Sequence, residues 1–186
     1  MEKDKRSLRA EYLRTRNEMP PEEAREKSLG IFRNLLGLPE YSSARRVFAY
    51  ASYKNEAETL PMIEDAVSRG KAVALPRILG KRRMEFYSVK GLSGLIRNPM
   101  GILEPEQGEI LVPGGGDLFI VPGTAFDLMK NRLGAGGGYY DAYFERYGGD
   151  FIKAGIAFDF QIAEELPCFP YDIKMDMIIT EKRIIR

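Results

Sequence analysis

The apolar positions of this chain change their period along its length, and those changes divide it into helices and strands. Within the first forty residues Arg, Lys, Glu and Leu dominate, no β-branched run occurs, and Pro20-Pro21 interrupts the pattern, which predicts two helices. The second opens with proline in its first turn and with Glu22 and Glu23 where the helix dipole favours anions. Ala24, Ser28, Ile31, Phe32, Leu35 and Leu36 then recur at helical spacing, and Gly37 followed by Pro39 ends the run.

Beyond residue 40 short apolar runs alternate with helical stretches. Val47 to Tyr50 reads as a strand, Leu60, Ile63, Ala66 and Val67 share a helix face, and Ala72 to Leu75 reads as the next strand. Met84 to Val89 alternates as a hairpin or edge strand does, whereas Gly91 to Gly116 holds many Gly and Pro residues with little periodicity and predicts a long irregular connection. Asp117 to Val121 is the clearest buried strand, followed by a glycine-rich loop and a helix with Tyr140, Tyr143, Phe144 and Tyr147 on one face. Ile152 to Phe158 and Met175 to Thr180 supply two more strands. The alternation predicts an α/β fold of three layers, an open, mostly parallel Rossmann-like sheet with an N-terminal helical pair, whose ligands sit beyond the carboxyl ends of the strands. A length of 186 residues suits a single α/β domain over 1–186, with 1–40 as a helical segment packed on it. A chain of that size buries roughly 70% of the surface it exposes when unfolded.

Composition then removes whole classes of chemistry. The chain has no histidine, one cysteine and no tryptophan, so Ser-His-Asp and Cys-His nucleophiles, imidazole-dependent metal sites, internal disulfides and CxxC motifs are all excluded. Carboxylate, lysine, arginine, hydroxyl and backbone chemistry remain. Lys+Arg 28 against Asp+Glu 27 leaves a net charge of +1, which gives no support for a nucleic-acid partner. Met1 to Arg6 is charged and leads into no signal-peptide core, and no apolar run approaches the roughly 18 residues of a membrane span. A cytoplasmic, reduced protein with no membrane partner is expected.

The densest candidate for chemistry is Val121 to Asp127 followed by Asn131 to Asp141, which reads as lying directly after the clearest strand and before a helix. Four glycines within five positions, Gly134 and Gly136 to Gly138, let backbone N–H groups turn toward a ligand, and the next helix N-terminus adds partial positive charge. Tyr139 stands where a dinucleotide fingerprint needs glycine, and no Gly-Lys-Ser/Thr follows as a P-loop requires. The choice on glycines alone lies between a phosphate cradle and a flexible surface loop. Lys5 and Arg9, four residues apart, share a helix face that either grips a polyphosphate or is simply solvated. Glu56 and Glu58 precede Thr59, a candidate helix cap; they are either favourable charge at a helix start or acceptors for an amidine-like heterocycle edge. Asp172 and Asp176 near the C-terminus either cap a turn or join an oxygen-ligated Mg²⁺ site completed by substrate phosphates.

Taken together these pieces resemble the 5-formyltetrahydrofolate cyclo-ligase family. The resemblance runs in order through Lys5-Arg6-Ser7-Leu8-Arg9, Glu56 with Glu58-Thr59, Gly70-Lys71 leading to Pro76-Arg77, Gly101-Ile102 with Glu104-Pro105, Pro122-Gly123 with Phe126-Asp127, the string Arg132-Leu133-Gly134-Ala135-Gly136-Gly137-Gly138-Tyr139-Tyr140-Asp141, and Asp172, Asp176 and Thr180-Glu181. It implies conversion of 5-formyltetrahydrofolate and ATP to 5,10-methenyltetrahydrofolate, ADP and phosphate with Mg²⁺. The formyl oxygen is phosphorylated, N10 attacks, and phosphate leaves. Such chemistry asks mainly for alignment and charge neutralisation, so it needs no histidine base.

The same resemblance implies site residues. Nucleotide contacts fall on Lys5, Arg6, Ser7, Leu8 and Arg9 and on Arg132, Leu133, Gly134, Ala135, Gly136, Gly137, Gly138, Tyr139 and Tyr140. Folate contacts fall on Arg9, Ala51, Glu56, Ala135, Gly136, Gly137, Gly138 and Tyr139. Arg132, Glu56 and Tyr139 are the expected catalytic residues, and Asp141 and Asp172 the expected Mg²⁺ ligands. Two positions depart from the family pattern: Ala135 stands where the loop commonly carries arginine, and Tyr171 where histidine is frequent. Ala135 keeps open an alternative, an ATP-binding paralogue with another acceptor or a regulatory binding role. A reading of the basic N-terminal helices as an RNA surface requires binding that weakens steeply with salt.

Overall fold

The structure, a computed structural model, describes residues 4–186; Met1 to Lys3, where the expected helical segment begins, lie outside the described residues. The N-terminal pair forms as α1 (Lys5–Glu18) and α2 (Pro21–Leu36). Asp4 caps α1 by accepting a hydrogen bond from the Ser7 N–H at 2.7 Å, and Pro21 opens α2 where a missing N–H costs nothing. A short helix, α3 (Pro39–Ser43), leads into β1 (Arg46–Phe48). Then come α4 (Leu60–Ser68), β2 (Ala72–Gly80), β3 (Arg83–Val89), β4 (Leu95–Arg97), β5 (Leu103–Pro105), β6 (Leu118–Pro122), β7 (Ala125–Asp127) and β8 (Arg132–Leu133). The chain ends through α5 (Tyr139–Tyr147), β9 (Ile152–Ile156), a 3₁₀ turn (Asp159–Gln161), β10 (Ile162–Ala163), β11 (Met177–Ile179) and β12 (Ile184–Ile185).

Seven strands form the main sheet in the order β12-β11-β9-β6-β1-β2-β3. Neighbours from β11 to β2 run parallel, and antiparallel β12 and β3 close the two edges. The alternation of side chains along each strand sorts the core into two faces. Val47, Ala49, Val73, Leu75, Leu118, Ile120, Ile156 and Ile179 pack with Ile31 and Leu35 of α2, Tyr41 of α3 and Met62, Ile63 and Ala66 of α4. Phe48, Ala74, Phe119, Val121 and Ile178 pack on the other face with Tyr143 and Phe144 of α5. Helices on both faces of a mostly parallel sheet give the expected three layers. On the α5 side the core is aromatic, with Phe48 stacked on Phe119 at 4.4 Å and Phe86 edge-on to both.

Three expectations need correction. The glycine loop does not follow β6 directly: β7 and β8 intervene as an antiparallel hairpin, and β10 joins β7 to make a small three-stranded sheet. Its key is Phe126, whose fully buried ring fills space left by two glycines; a Cβ at Gly123 or Gly155 would come within 2.5 Å of that ring. The stretch from Gly91 to Gly116 is not wholly irregular, because β4 and β5 pair antiparallel within it and Tyr87 bridges Ile110. Strands of three residues are too short to show a period of two above the Gly and Pro around them. Thr59 also acts differently from a helix cap: its hydroxyl donates to the Tyr50 carbonyl and accepts from the Ser52 N–H, pinning the chain that leaves β1.

Candidate functional site

At the carboxyl ends of β1 and β6 a cavity of about 640 Å³ opens, the place where parallel α/β sheets bind ligands. One wall is a single face of α1. Lys5, Arg9, Leu13 and Arg16, at steps of four, four and three, all line the cavity, so the helix aims these three cations inward while Arg6 and Arg14 face solvent. The segment after β1 contributes Tyr50, Ala51, Tyr53 and Glu56, and the end of β6 contributes Pro122, Gly123 and Thr124. Pro76, Ile78 and Met84 from β2 and β3, with Met100, Ile102 and Leu103 around the β4–β5 turn, form an apolar side, beside which the Glu104 carboxylate accepts from the Ile78 N–H and the Asn98 side chain. The opposite wall is Arg132 through Asp141, and Phe169, Tyr171 and Asp172 complete the rim.

The glycine loop is held against α1. Arg9 Nε donates to the Gly134 carbonyl at 2.8 Å, and a Cβ at Gly136 would touch the Arg9 side chain. Gly138, with φ of +65°, caps α5 in the left-handed region that favours glycine, and no side chain caps the exposed helix N-terminus. The donors there are free for an anion, and the dipole favours one. Arg82, itself at φ +55°, lies above Gly138 from the β2–β3 turn. The loop that lacks arginine at Ala135 is therefore flanked by Arg9 and Arg82.

Arg132 is 9% exposed and bridges the walls: one Nη donates to Asp141 Oδ2 at 2.8 Å, the other to the Pro122 carbonyl, and Nε has no partner. Asp141 Oδ1 accepts from the Ile173 N–H at 3.2 Å, which draws the segment holding Asp172 toward it. Asp172 pairs with Lys5 and accepts from the Phe169 N–H. Both carboxylates thus face the cavity with cationic partners. Asp176 does not join them; it accepts from the Lys153 N–H and pairs with Lys153 Nζ at 2.8 Å, tying β9 to the residue that leads into β11. No cluster of three or more His, Cys, Asp or Glu ligands occurs among the described residues, so Asp141 and Asp172 offer a hard-oxygen pair that other oxygens must complete.

At the inner end Glu56 Oε2 accepts from the Tyr53 N–H at 3.0 Å. Burial pushes its carboxyl above the ordinary range, while that hydrogen bond and the Arg16 charge oppose the rise. Burial raises the phenols of Tyr50 and Tyr140 as well, keeping both as neutral hydroxyls. The Tyr140 hydroxyl and Arg16 Nε are buried without partners.

This arrangement has counterparts of known kind. The model of the 5-formyltetrahydrofolate cyclo-ligase family matches residues 1–181. The chain belongs to this family. It is 34% identical to a probable 5-formyltetrahydrofolate cyclo-ligase of Schizosaccharomyces pombe, over 86% of this chain and 86% of that one. It is 30% identical to the 5-formyltetrahydrofolate cyclo-ligase of mouse, over 95% and 93%. The solved structure of 5,10-methenyltetrahydrofolate synthetase from Aquifex aeolicus superposes with a TM-score of 0.87 at 36% identity, covering 98% of this chain and 92% of that one.

The cavity gathers Lys5, Arg9, Ala51, Glu56, Arg132 to Asp141 and Asp172, nearly every site residue expected of a family member. Arg6, Ser7 and Leu8 do not line it. The helical period turns them away: Arg6 and Ser7 are exposed, the Ser7 N–H serves the Asp4 cap, and Leu8 packs on the β7–β8 hairpin with Ala125 and Leu133. Glu58 is also exposed and outside the lining. The residue that the sequence reading missed is Arg16. Its signal was the same period that selects Arg9, since residues 5, 9 and 16 share one helix face.

Proposed function

We propose that this family member catalyses the ATP- and Mg²⁺-dependent cyclisation of 5-formyltetrahydrofolate to 5,10-methenyltetrahydrofolate. The observation that carries the reading is that one cavity joins a phosphate-binding end, built from Lys5, Arg9, Arg132 and the glycine loop, to a half-buried carboxylate at Glu56. The nucleotide phosphates lie against the first end and the folate ring reaches toward Glu56. The formyl oxygen attacks the γ-phosphorus, ADP departs, N10 attacks the activated carbon and loses its proton, and the C–O bond breaks to release phosphate. Arg132 and Arg9 neutralise charge that develops on the transferred phosphoryl group, and the α5 N-terminus adds to it. Tyr139 offers a ring face to the substrate.

Asp141 and Asp172 fit Mg²⁺, because they supply only hard oxygens and leave room in the ligand set for phosphate oxygens and water. Held there, Mg²⁺ would supply charge neutralisation to the phosphates. Lys5 and Arg132, which pair with these carboxylates, stand beside it with positive charge for the nucleotide. Arg82 and Arg9 beside the loop retain positive charge despite Ala135, which favours catalysis over a purely regulatory role. No helix among the described residues is long and apolar enough to cross a membrane. The single exposed Cys168 suits a reducing, cytoplasmic setting.

The test is whether 5-formyltetrahydrofolate added to the ATP-bound protein triggers ADP release. Release in its presence and none in its absence supports the assignment; equal ADP release with and without the folate overturns it.

A further inference from the structure

Among the described residues, four buried side-chain nitrogen or oxygen atoms have no hydrogen-bond partner. Three belong to cavity residues: Arg16 Nε, Arg132 Nε and the Tyr140 hydroxyl. An unpaired buried donor is costly, of the order of a lost hydrogen bond each, so a group that meets it in the bound state is favoured. Arg132 stands at the phosphate end. Arg16 stands by Glu56, with Tyr50 beside them, and Tyr140 lies between the two ends: electrostatic interactions link Glu56 to Arg16, to Tyr50 and to Tyr140, while the Arg132 guanidinium sits over the Tyr140 ring at 5.4 Å. One acceptor and two orphaned donors thus converge toward the inner end, on α1 and α5 and after β1.

We infer that Arg16 and Tyr140 are recognition residues which, together with Glu56, read the 2-amino-4-oxo edge of the folate heterocycle. This rests on the functional reading above. The edge presents two N–H donors and, beside them, a keto oxygen with two lone pairs. The Glu56 carboxylate accepts from the N–H pair in the bidentate manner open to it, and Arg16 Nε and the Tyr140 hydroxyl donate to the oxygen. Arg16, 9% exposed and permanently charged, also opposes the rise that burial imposes on the Glu56 carboxyl. The other groups facing Glu56 are the neutral phenols of Tyr50 and Tyr140 and the Tyr53 N–H, none of which supplies that charge.

The experiment measures the Kd of 5-formyltetrahydrofolate and of ATP separately, by calorimetry, across a pH series for wild type, Arg16→Met, Arg16→Lys and Tyr140→Phe. Arg16→Met is expected to weaken folate binding by about tenfold or more at neutral pH while ATP binding stays within about twofold. Its Glu56 pKa rises further, so folate affinity on lowering the pH is lost at a higher pH than in wild type, and partly returns as the pH is raised. Arg16→Lys, which keeps the charge, restores the acid limb but not the full affinity. Tyr140→Phe removes one oxygen and keeps the ring that lies under Arg132; it is expected to weaken folate binding severalfold, and by a larger factor than ATP binding. Folate affinity unchanged in Arg16→Met and Tyr140→Phe, or ATP lost in step with folate, overturns the inference alone. A folded wild type that binds no 5-formyltetrahydrofolate overturns the functional reading and this inference with it.

Discussion

In the β7–β8 hairpin Asp127 is fully buried, and its carboxylate takes N–H donors from the Asn131 backbone and side chain and from Leu166, all at 2.8–2.9 Å. Five residues on, Arg132 is buried to almost the same degree and keeps its Nε without a partner. Within one hairpin, the β7 carboxylate has its donors supplied, while the β8 arginine that forms the cavity wall leaves a donor open. The difference separates two uses of buried polarity. Satisfied groups such as Asp127, or the Arg46–Asp117 pair with its two 2.7 Å bonds, fix the architecture. Unsatisfied groups facing a cavity mark where a ligand completes the set.

Substitutions can break that contrast at either end. The largest effect is expected for Arg132→Ala, which removes charge from the transferring phosphoryl group: kcat should fall about 10²–10³-fold, read by steady-state product formation, with the fold retained by circular dichroism. Asp127→Ala should do the reverse. Its three N–H donors become orphans, so stability should drop by about 2–3 kcal/mol in urea titration while KM for both substrates holds. Asp172→Asn is expected to raise the Mg²⁺ concentration for half-maximal activity about tenfold, equivalent to about 1.4 kcal/mol, in a metal titration at saturating nucleotide. The smallest effect belongs to Tyr143→Phe. Its hydroxyl is buried and unpartnered on the α5 face of the sheet, away from the cavity, so its loss should leave stability unchanged or raise it by less than about 1 kcal/mol. A large activity loss in Tyr143→Phe would show that orphaned donors do not distinguish site from core.

The sheet was readable because its strands are buried on both faces and stand out as continuous apolar runs, as in Leu118 to Val121. The β7–β8 hairpin was hidden. Its strands have three and two residues, and the Gly and Asn around them read as loop. What holds it is the three-way tie at Asp127 and the packing of Phe126 between Gly123 and Gly155, both set by contacts far apart in sequence. At the site, motif residues in one stretch were legible, and Asp141 and Asp172 came from the family likeness. Arg6, Ser7 and Leu8 belong to that likeness too, but a helix cannot turn five consecutive side chains into one cavity. Arg16 was overlooked because arginine on an amphipathic helix ordinarily faces water, whereas here it is 9% exposed and lines the cavity.

The most direct measurement mixes the protein with 5-formyltetrahydrofolate and MgATP and follows methenyltetrahydrofolate by its acid-stable absorbance. Stoichiometric formation of that product with ADP and phosphate, abolished when either ATP or Mg²⁺ is withheld, is the expected result. A folded protein that binds ATP yet forms no methenyltetrahydrofolate would contradict it.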